Sequence, residues 1–181
     1  MKPTTREVIL GALFVALITV GTFIRIPVGG DVFTLQFLFT LLAGLILGAK
    51  LGAMSVAVYI LLGLIGVPVF ASGGGMGYVM QPTFGYLVGF VLQAFFCGYF
   101  SRRLKKVSIA KLIFINYCGL LIVYLFGVSY FYFATVFILQ APLPLWTLLL
   151  YSCFLQMPPD FLLCVVAAYV GLRCRNAGLW V

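Results

Sequence analysis

The sequence predicts an all-α integral membrane protein, a bundle of six transmembrane helices with both termini cytoplasmic. Of 181 residues, 65% are hydrophobic and 8% are charged, which excludes an ordinary water-soluble domain. Several apolar runs reach the roughly 20 residues a helix needs to cross a bilayer, and no alternating ten-residue pattern suggests an outer-membrane barrel. The basic residues fall between the apolar runs and beside them, so the net charge of +8 marks orientation and not a nucleic-acid partner. Residues 1–181 are expected to form a single multi-pass domain in the cell (plasma) membrane.

Helix one is expected over about residues 5–26. It follows Lys2 and Arg6 as a signal peptide would, but no A-x-A-like cleavage site follows, so it is kept as a span. Pro27-Val28-Gly29-Gly30-Asp31 then breaks it into a loop. Helix two covers about 33–47, Gly48-Ala49-Lys50-Leu51-Gly52 is a tight turn, and helix three reaches Gly66. Pro68 opens a longer segment to Gln81 that holds Ser72-Gly73-Gly74-Gly75. Helix four spans about 82–100, with Pro82 at a helix start where its missing N–H costs nothing. Arg102-Arg103-Leu104-Lys105-Lys106 closes it. Helix five runs over about 109–139, long enough to tilt or to extend beyond the membrane. The stretch 142–159 is expected to be part helical, lying at the surface or folding back. Helix six begins at Pro159 or Asp160 and ends near Arg173.

An even number of crossings puts both termini on one side. With that side cytoplasmic, Lys2, Arg6, Lys50, Arg102, Arg103, Lys105, Lys106, Lys111, Arg173 and Arg175 are inside and Arg25 alone is outside, a strong positive-inside bias. The same topology gathers Arg25, Asp31, the glycine loop and Asp160 on the outer side. These are the parts of a pocket open to the exterior.

Asp160 is one of three acidic residues and stands between Pro158-Pro159 and an apolar run, where a carboxylate is costly unless something meets it. Its plainer role is a helix N-terminal position accepting backbone N–H groups, which can coexist with ligand contact. Gln36 and Thr34, placed just inside helix two, offer an amide and a hydroxyl to a ligand or to a neighbouring helix. Arg25 can attract a ligand carboxylate, pair with Asp31, or snorkel from a helix end. The backbone of Gly74 and Gly75 can form an anion nest or a flexible connector, and no Gly-Lys-Ser/Thr follows to make a Walker A loop. Tyr86 offers a ring and a hydroxyl, while Gly85 and Gly89, four apart, suit close helix packing. Ala12 and Ala16 form a similar small-residue face on helix one, for internal packing or for docking another membrane protein.

Histidine is absent, and the five cysteines form no C-x-x-C pair, so neither a metal site nor a cofactor is expected. An intramembrane enzyme would need paired acids, a Cys-His arrangement or metal ligands. Asp31 and Asp160 alone supply little, and no enzymatic activity is expected.

The motifs carry a resemblance across nearly the whole chain. They are Ile24-Arg25-Ile26-Pro27 leading to Phe33-Thr34-Leu35-Gln36, then Leu42-Ala43-Gly44-Leu45-Ile46-Leu47-Gly48, and Leu61 to Ala71 with its Gly66-Val67-Pro68. Pro82-Thr83-Phe84-Gly85-Tyr86, Tyr124-Leu125-Phe126-Gly127 and Pro158-Pro159-Asp160 follow in order. This set resembles the BioY family, biotin-binding S components of energy-coupling factor (ECF) transporters. The resemblance implies a six-helix subunit that captures biotin from outside for ATP-driven uptake, working with a transmembrane coupling protein and two ATPases. It implies that Ala12 and Ala16 meet the coupling protein and that the outer loops and the start of helix six form the biotin site. Two positions depart from the family pattern: Leu163 stands where a lysine is usual, and Phe84 replaces a glycine of P-T-G-G-Y. An S component for another small carboxylated vitamin, such as lipoate or a biotin precursor, is the alternative. A stand-alone carrier is the second.

Biotin presents ureido N–H donors, a carbonyl acceptor, an apolar bicyclic body and a terminal carboxylate. Against these, Asp160 would accept from the ureido N–H groups, Gln36 or Thr34 would meet the carbonyl, and Tyr86 would pack on the rings. Arg25 or the glycine-loop N–H groups would receive the carboxylate.

Overall fold

The structure, a computed structural model, describes residues 4–28, 31–140, 144, 146 and 154–180, with backbone alone at 26–28 and 31–33. Apart from one two-stranded hairpin, its regular elements are helical. They are α1 (Thr5–Phe23), β1 (Arg25–Val28), β2 (Asp31–Thr34), α2 (Gln36–Leu47), α3 (Ala49–Leu64), a 3-10 turn (Met76–Met80), α4 (Phe84–Arg103), α5 (Ile109–Phe133) with a π-helical continuation (Ala134–Ile138), and α6 (Met157–Asn176).

Four of these helical stretches, Thr5–Phe23, Phe84–Arg103, Ile109–Ile138 and Met157–Asn176, are long and apolar enough to cross a membrane. The 12 residues of α2 and 16 of α3 make helices of roughly 18 and 24 Å, short of the roughly 30 Å hydrocarbon core. Of the two, α3 exposes Met54, Val58 and Leu61 along one face. α2 is buried along most of its surface and packs against α1, α3, α4 and α6. Around it, α1 turns Val8, Ile9, Leu13, Val20 and Phe23 outward, as a helix facing lipid does.

The expected spans of helices one and two run too far. Residues 25–28 and 31–34 pair antiparallel, with Arg25 opposite Thr34 and Val28 opposite Asp31. Pro27 cannot continue a helix, whereas a two-stranded ribbon has outward edges that tolerate its missing donor. Thr34 is therefore a strand residue and not part of helix two. This register also puts Arg25 and Asp31 at opposite ends of the ribbon.

Other boundaries shift for equally local reasons. The turn expected over 48–52 contracts to Gly48, whose φ of +82° favours glycine, and α3 starts at Ala49. Helix three ends at Leu64, before Gly66 with φ +110°. Helix four starts at Phe84 and extends through Arg103. α6 begins at Met157, because Pro158 and Pro159 fall in the first turn, where no intrahelical N–H is required. Most of 142–159 lies outside the described residues.

Glycines set the α4–α5 contact. A Cβ at Gly85 would lie 2.7 Å from the Phe126 carbonyl oxygen, and one at Gly89 would lie 2.9 Å from Val123 Cα. Both glycines serve close helix packing. Gly89→Val is expected to destabilise the fold by about 1–3 kcal/mol through overpacking, seen as a lower thermal midpoint in detergent.

Candidate functional site

One end of the bundle holds a cavity of about 340 Å³, within the roughly 300–1,000 Å³ typical of small-molecule sites. The hairpin contributes Arg25 and Thr34, α2 contributes Gln36 and Phe37, and the loop after α3 contributes Ala71 and Ser72. Tyr78 and Thr83 lead to Tyr86, Leu87 and Phe90 of α4. Val123, Tyr124 and Phe131 come from α5, and Gln156 and Asp160 complete the wall.

The loop is held in place from below. The Tyr59 hydroxyl donates to the Val69 carbonyl at 2.9 Å and meets Thr22 Oγ1 at 3.0 Å, tying α1, α3 and the loop together. Phe70 stacks between Tyr59 and Tyr78, with ring centroids 5.6 and 4.4 Å away. Arg25 Nη2 donates to the Ala71 carbonyl and pins the hairpin to the same loop.

Asp160 sits in the first turn of α6 and is buried, with 9% of its surface exposed. Its Oδ2 accepts a hydrogen bond from the Tyr124 hydroxyl at 2.6 Å. A neutral phenol, not a cation, orients it. The helix N-terminus adds a favourable dipole, and the second carboxyl oxygen keeps acceptor capacity for a ligand.

Gln36 is the complementary group. It is buried at the start of α2, and its Nε2 has no hydrogen-bond partner among the described residues. A buried amide donor left unpaired costs about 1–3 kcal/mol. Gln36 itself lines the cavity, which places this amide within the wall. Phe37 and Phe90, with ring centroids 6.3 Å apart, and Tyr86, edge-on to Tyr124 at 6.4 Å, give the wall an aromatic surface for an apolar ring body.

Arg25, Thr34, Gln36, Tyr86 and Asp160, drawn from five separate elements or turns, all line this one cavity. Gly74 and Gly75 do not. The Gly75 N–H donates to the Gly63 carbonyl at 2.7 Å and the Gly73 N–H to the Phe70 carbonyl at 3.2 Å. The first folds the loop back on α3 and the second closes a turn within the loop, so these two N–H groups are lost to an anion nest. Tyr78 and Gln156 carry no site signal in the sequence, and Tyr124 figures there only within the Tyr124-Leu125-Phe126-Gly127 motif. The Asp31 side chain lies outside the described residues.

Both departures from the family pattern sit behind the wall. Leu163 is buried one turn after Asp160, and Phe84 packs edge-on against Tyr130 at 5.8 Å. Neither lines the cavity. Ala12 and Ala16 are exposed on one face of α1, well along the helix from the cavity.

Comparison with known proteins gives a consistent set of likenesses. The BioY family model matches residues 1–178. A probable biotin transporter BioY of Lysinibacillus sphaericus is 46% identical over 133 residues, covering 74% of this chain and 68% of the relative. A biotin transporter BioY of Rhizobium etli is 35% identical over 187 residues, covering 93% and 92%. Among solved structures, the S-component for biotin from an ECF-type ABC transporter aligns with a TM-score of 0.73 at 27% identity, covering 97% of this chain and 95% of that one.

Proposed function

The chain belongs to the BioY family, and from that premise we propose that it is the membrane subunit that captures biotin for an ECF-type transporter. It is a transport protein of the cell membrane and not an enzyme, and it works with the coupling protein and ATPases of an ECF module. The observation that carries the ligand assignment is a pair of residues in one cavity wall: Asp160, with an acceptor, and Gln36, whose Nε2 donor is unpartnered among the described residues. A cyclic urea presents N–H donors and a carbonyl acceptor on one small ring. That is the complement of this pair.

Asp160 accepts from the ureido N–H groups, and Gln36 donates to the ureido carbonyl with Thr34 beside it. Tyr86, Phe37 and Phe90 pack on the bicyclic body. Arg25, on the hairpin, receives the valerate carboxylate. Leu163 and Phe84 do not line the cavity, and none of the contacts assigned here uses them.

Six spans with cytoplasmic termini fit the charge distribution. Arg6, Lys50, Arg102, Arg103, Lys105, Lys106, Lys111, Arg173 and Arg175 are at helix ends opposite the cavity, while Arg25 is at the cavity end, as the positive-inside rule requires of an outward-facing site. The short α2 crosses as the buried centre of the bundle, with α3 packed beside it. The exposed Ala12 and Ala16 allow a partner helix to approach α1 closely, and that face docks the coupling protein.

Isothermal titration of the detergent-purified chain is expected to give saturable biotin binding and none with lipoate, which lacks ureido donors. Tight lipoate binding without biotin binding would reject the assignment. In vesicles, uptake is expected only with the partner module and ATP. Uptake by this chain alone would instead make it a stand-alone carrier.

A further inference from the structure

At the bundle end opposite the cavity, two arginines from different helices converge on one indole. Arg102, near the end of α4, places its guanidinium carbon 4.6 Å from the Trp180 ring centroid, and Arg175, near the end of α6, lies 5.0 Å from the same ring. The indole N–H donates to the Gly171 carbonyl at 3.0 Å, which fixes the ring over the end of α6. The neighbouring arginines behave differently. Arg103 and Arg173 stack on Tyr99 and Tyr169 of their own helices, at 4.2 and 5.3 Å.

The convergence leaves cationic hydrogen-bonding capacity unspent. Arg102 Nη2 donates to the Ile46 carbonyl at 2.8 Å, at the end of α2. Arg175 Nη1 is buried and has no hydrogen-bond partner among the described residues. A guanidinium N–H without an acceptor is costly, and two like charges beside one ring repel. The chain's three acidic residues are placed on other elements. Asp160 lines the cavity, Asp31 is in the hairpin at that same end, and Glu7 accepts from the Thr4 backbone and hydroxyl at 2.6 and 2.9 Å.

An oxyanion reached by both guanidinium groups would supply the missing acceptor and cancel the repulsion. The ends of two membrane-length helices lie at headgroup depth, where tryptophan and arginine are favoured and phospholipid phosphates are abundant. We propose that Arg102, Arg175 and Trp180 form a phosphate site that holds the headgroup of an anionic phospholipid.

The test uses the full chain with Trp146→Phe, which leaves Trp180 as the remaining tryptophan. Its emission is followed while detergent micelles are doped with phosphatidylglycerol, with phosphatidylcholine, or supplied with inorganic phosphate. A saturable change with phosphatidylglycerol alone is expected. Arg175→Gln should weaken it roughly five- to tenfold, as loss of one interfacial cation implies, with biotin affinity unchanged as proof of folding. Arg175→Lys should restore part of it. An equal response to phosphatidylcholine, or an Arg175→Gln titration matching the parent, would overturn the site. Saturation by inorganic phosphate at the same concentrations would overturn the lipid as its source. A response seen only when a Gly-Ser tail follows Val181 would assign Arg175 to the terminal carboxylate and overturn the proposal.

Discussion

Asp160→Asn is expected to weaken biotin binding by about 2 kcal/mol, or roughly thirtyfold, because a charge-assisted hydrogen bond is replaced by a neutral one in a dry wall. The geometry fixes the direction. Oδ2 is already taken by the Tyr124 hydroxyl at 2.6 Å, so the second oxygen is the one free to accept from a ureido N–H. In Asn that position can become an N–H donor facing another donor. Turning the amide to present its oxygen to the ligand makes Tyr124 accept instead of donate, and binding survives at lower strength. Asp160→Leu removes both options and should cost more than Asn does. Tyr124→Phe offers a companion measurement: the carboxyl group stays but loses its orienting donor, so a smaller loss, on the order of 1 kcal/mol, is expected. If titration calorimetry finds biotin affinity unaltered in Asp160→Asn, the ureido end is bound elsewhere.

The contrast between Asp160 and Tyr124 shows what can be read from residues alone. A carboxylate beside Pro158-Pro159 within an apolar chain demands a physical reason, so Asp160 stands out without coordinates. A tyrosine inside α5 does not. Its ring suits an apolar run as well as phenylalanine would, and only the packing of α5 against α6 reveals that its hydroxyl meets Asp160. The hairpin was more accessible than it seemed. Ile26, Val28, Val32 and Thr34 are β-branched, and Gly29-Gly30 between them is a two-residue hairpin signal; the apolar composition of the flanking helices masked it. Thr34 thus belongs to β2 and not to helix two, and strand pairing sets it opposite Arg25. The glycine loop is legible in composition but not in its hydrogen bonding. Glycine content allows a nest, but whether N–H groups are free depends on which carbonyls lie near, and Gly63 is a turn of α3 that no local pattern relates to Gly75.

Gln36→Leu is expected to split stability from binding. In the ligand-free chain, Gln36 Nε2 is buried without a partner, so a leucine of similar volume removes a donor that costs about 1–3 kcal/mol to leave unpaired. The apo protein should therefore melt at the same temperature or higher. Biotin affinity should fall, because the ureido carbonyl would enter an apolar wall and lose its own acceptor contact. A site built to pair a polar group discriminates strongly once that pairing is lost, and a loss of about 2–3 kcal/mol, or roughly thirtyfold to 150-fold, follows. Opposite signs in the two measurements are the informative outcome. A protein that merely misfolds would lose both, and a glutamine that serves only helix packing would lose stability and keep its ligand. Thermal unfolding in detergent and calorimetry on the same preparation separate these cases. If Gln36→Leu lowers the melting temperature while biotin binds unchanged, the amide belongs to the bundle and not to the site. A second group, with Thr34 the nearest candidate on the hairpin, would then have to meet the carbonyl. The two measurements decide it together, because removing an unpaired donor stabilises the empty protein in either case and only a donor that the ligand uses costs affinity when it is removed.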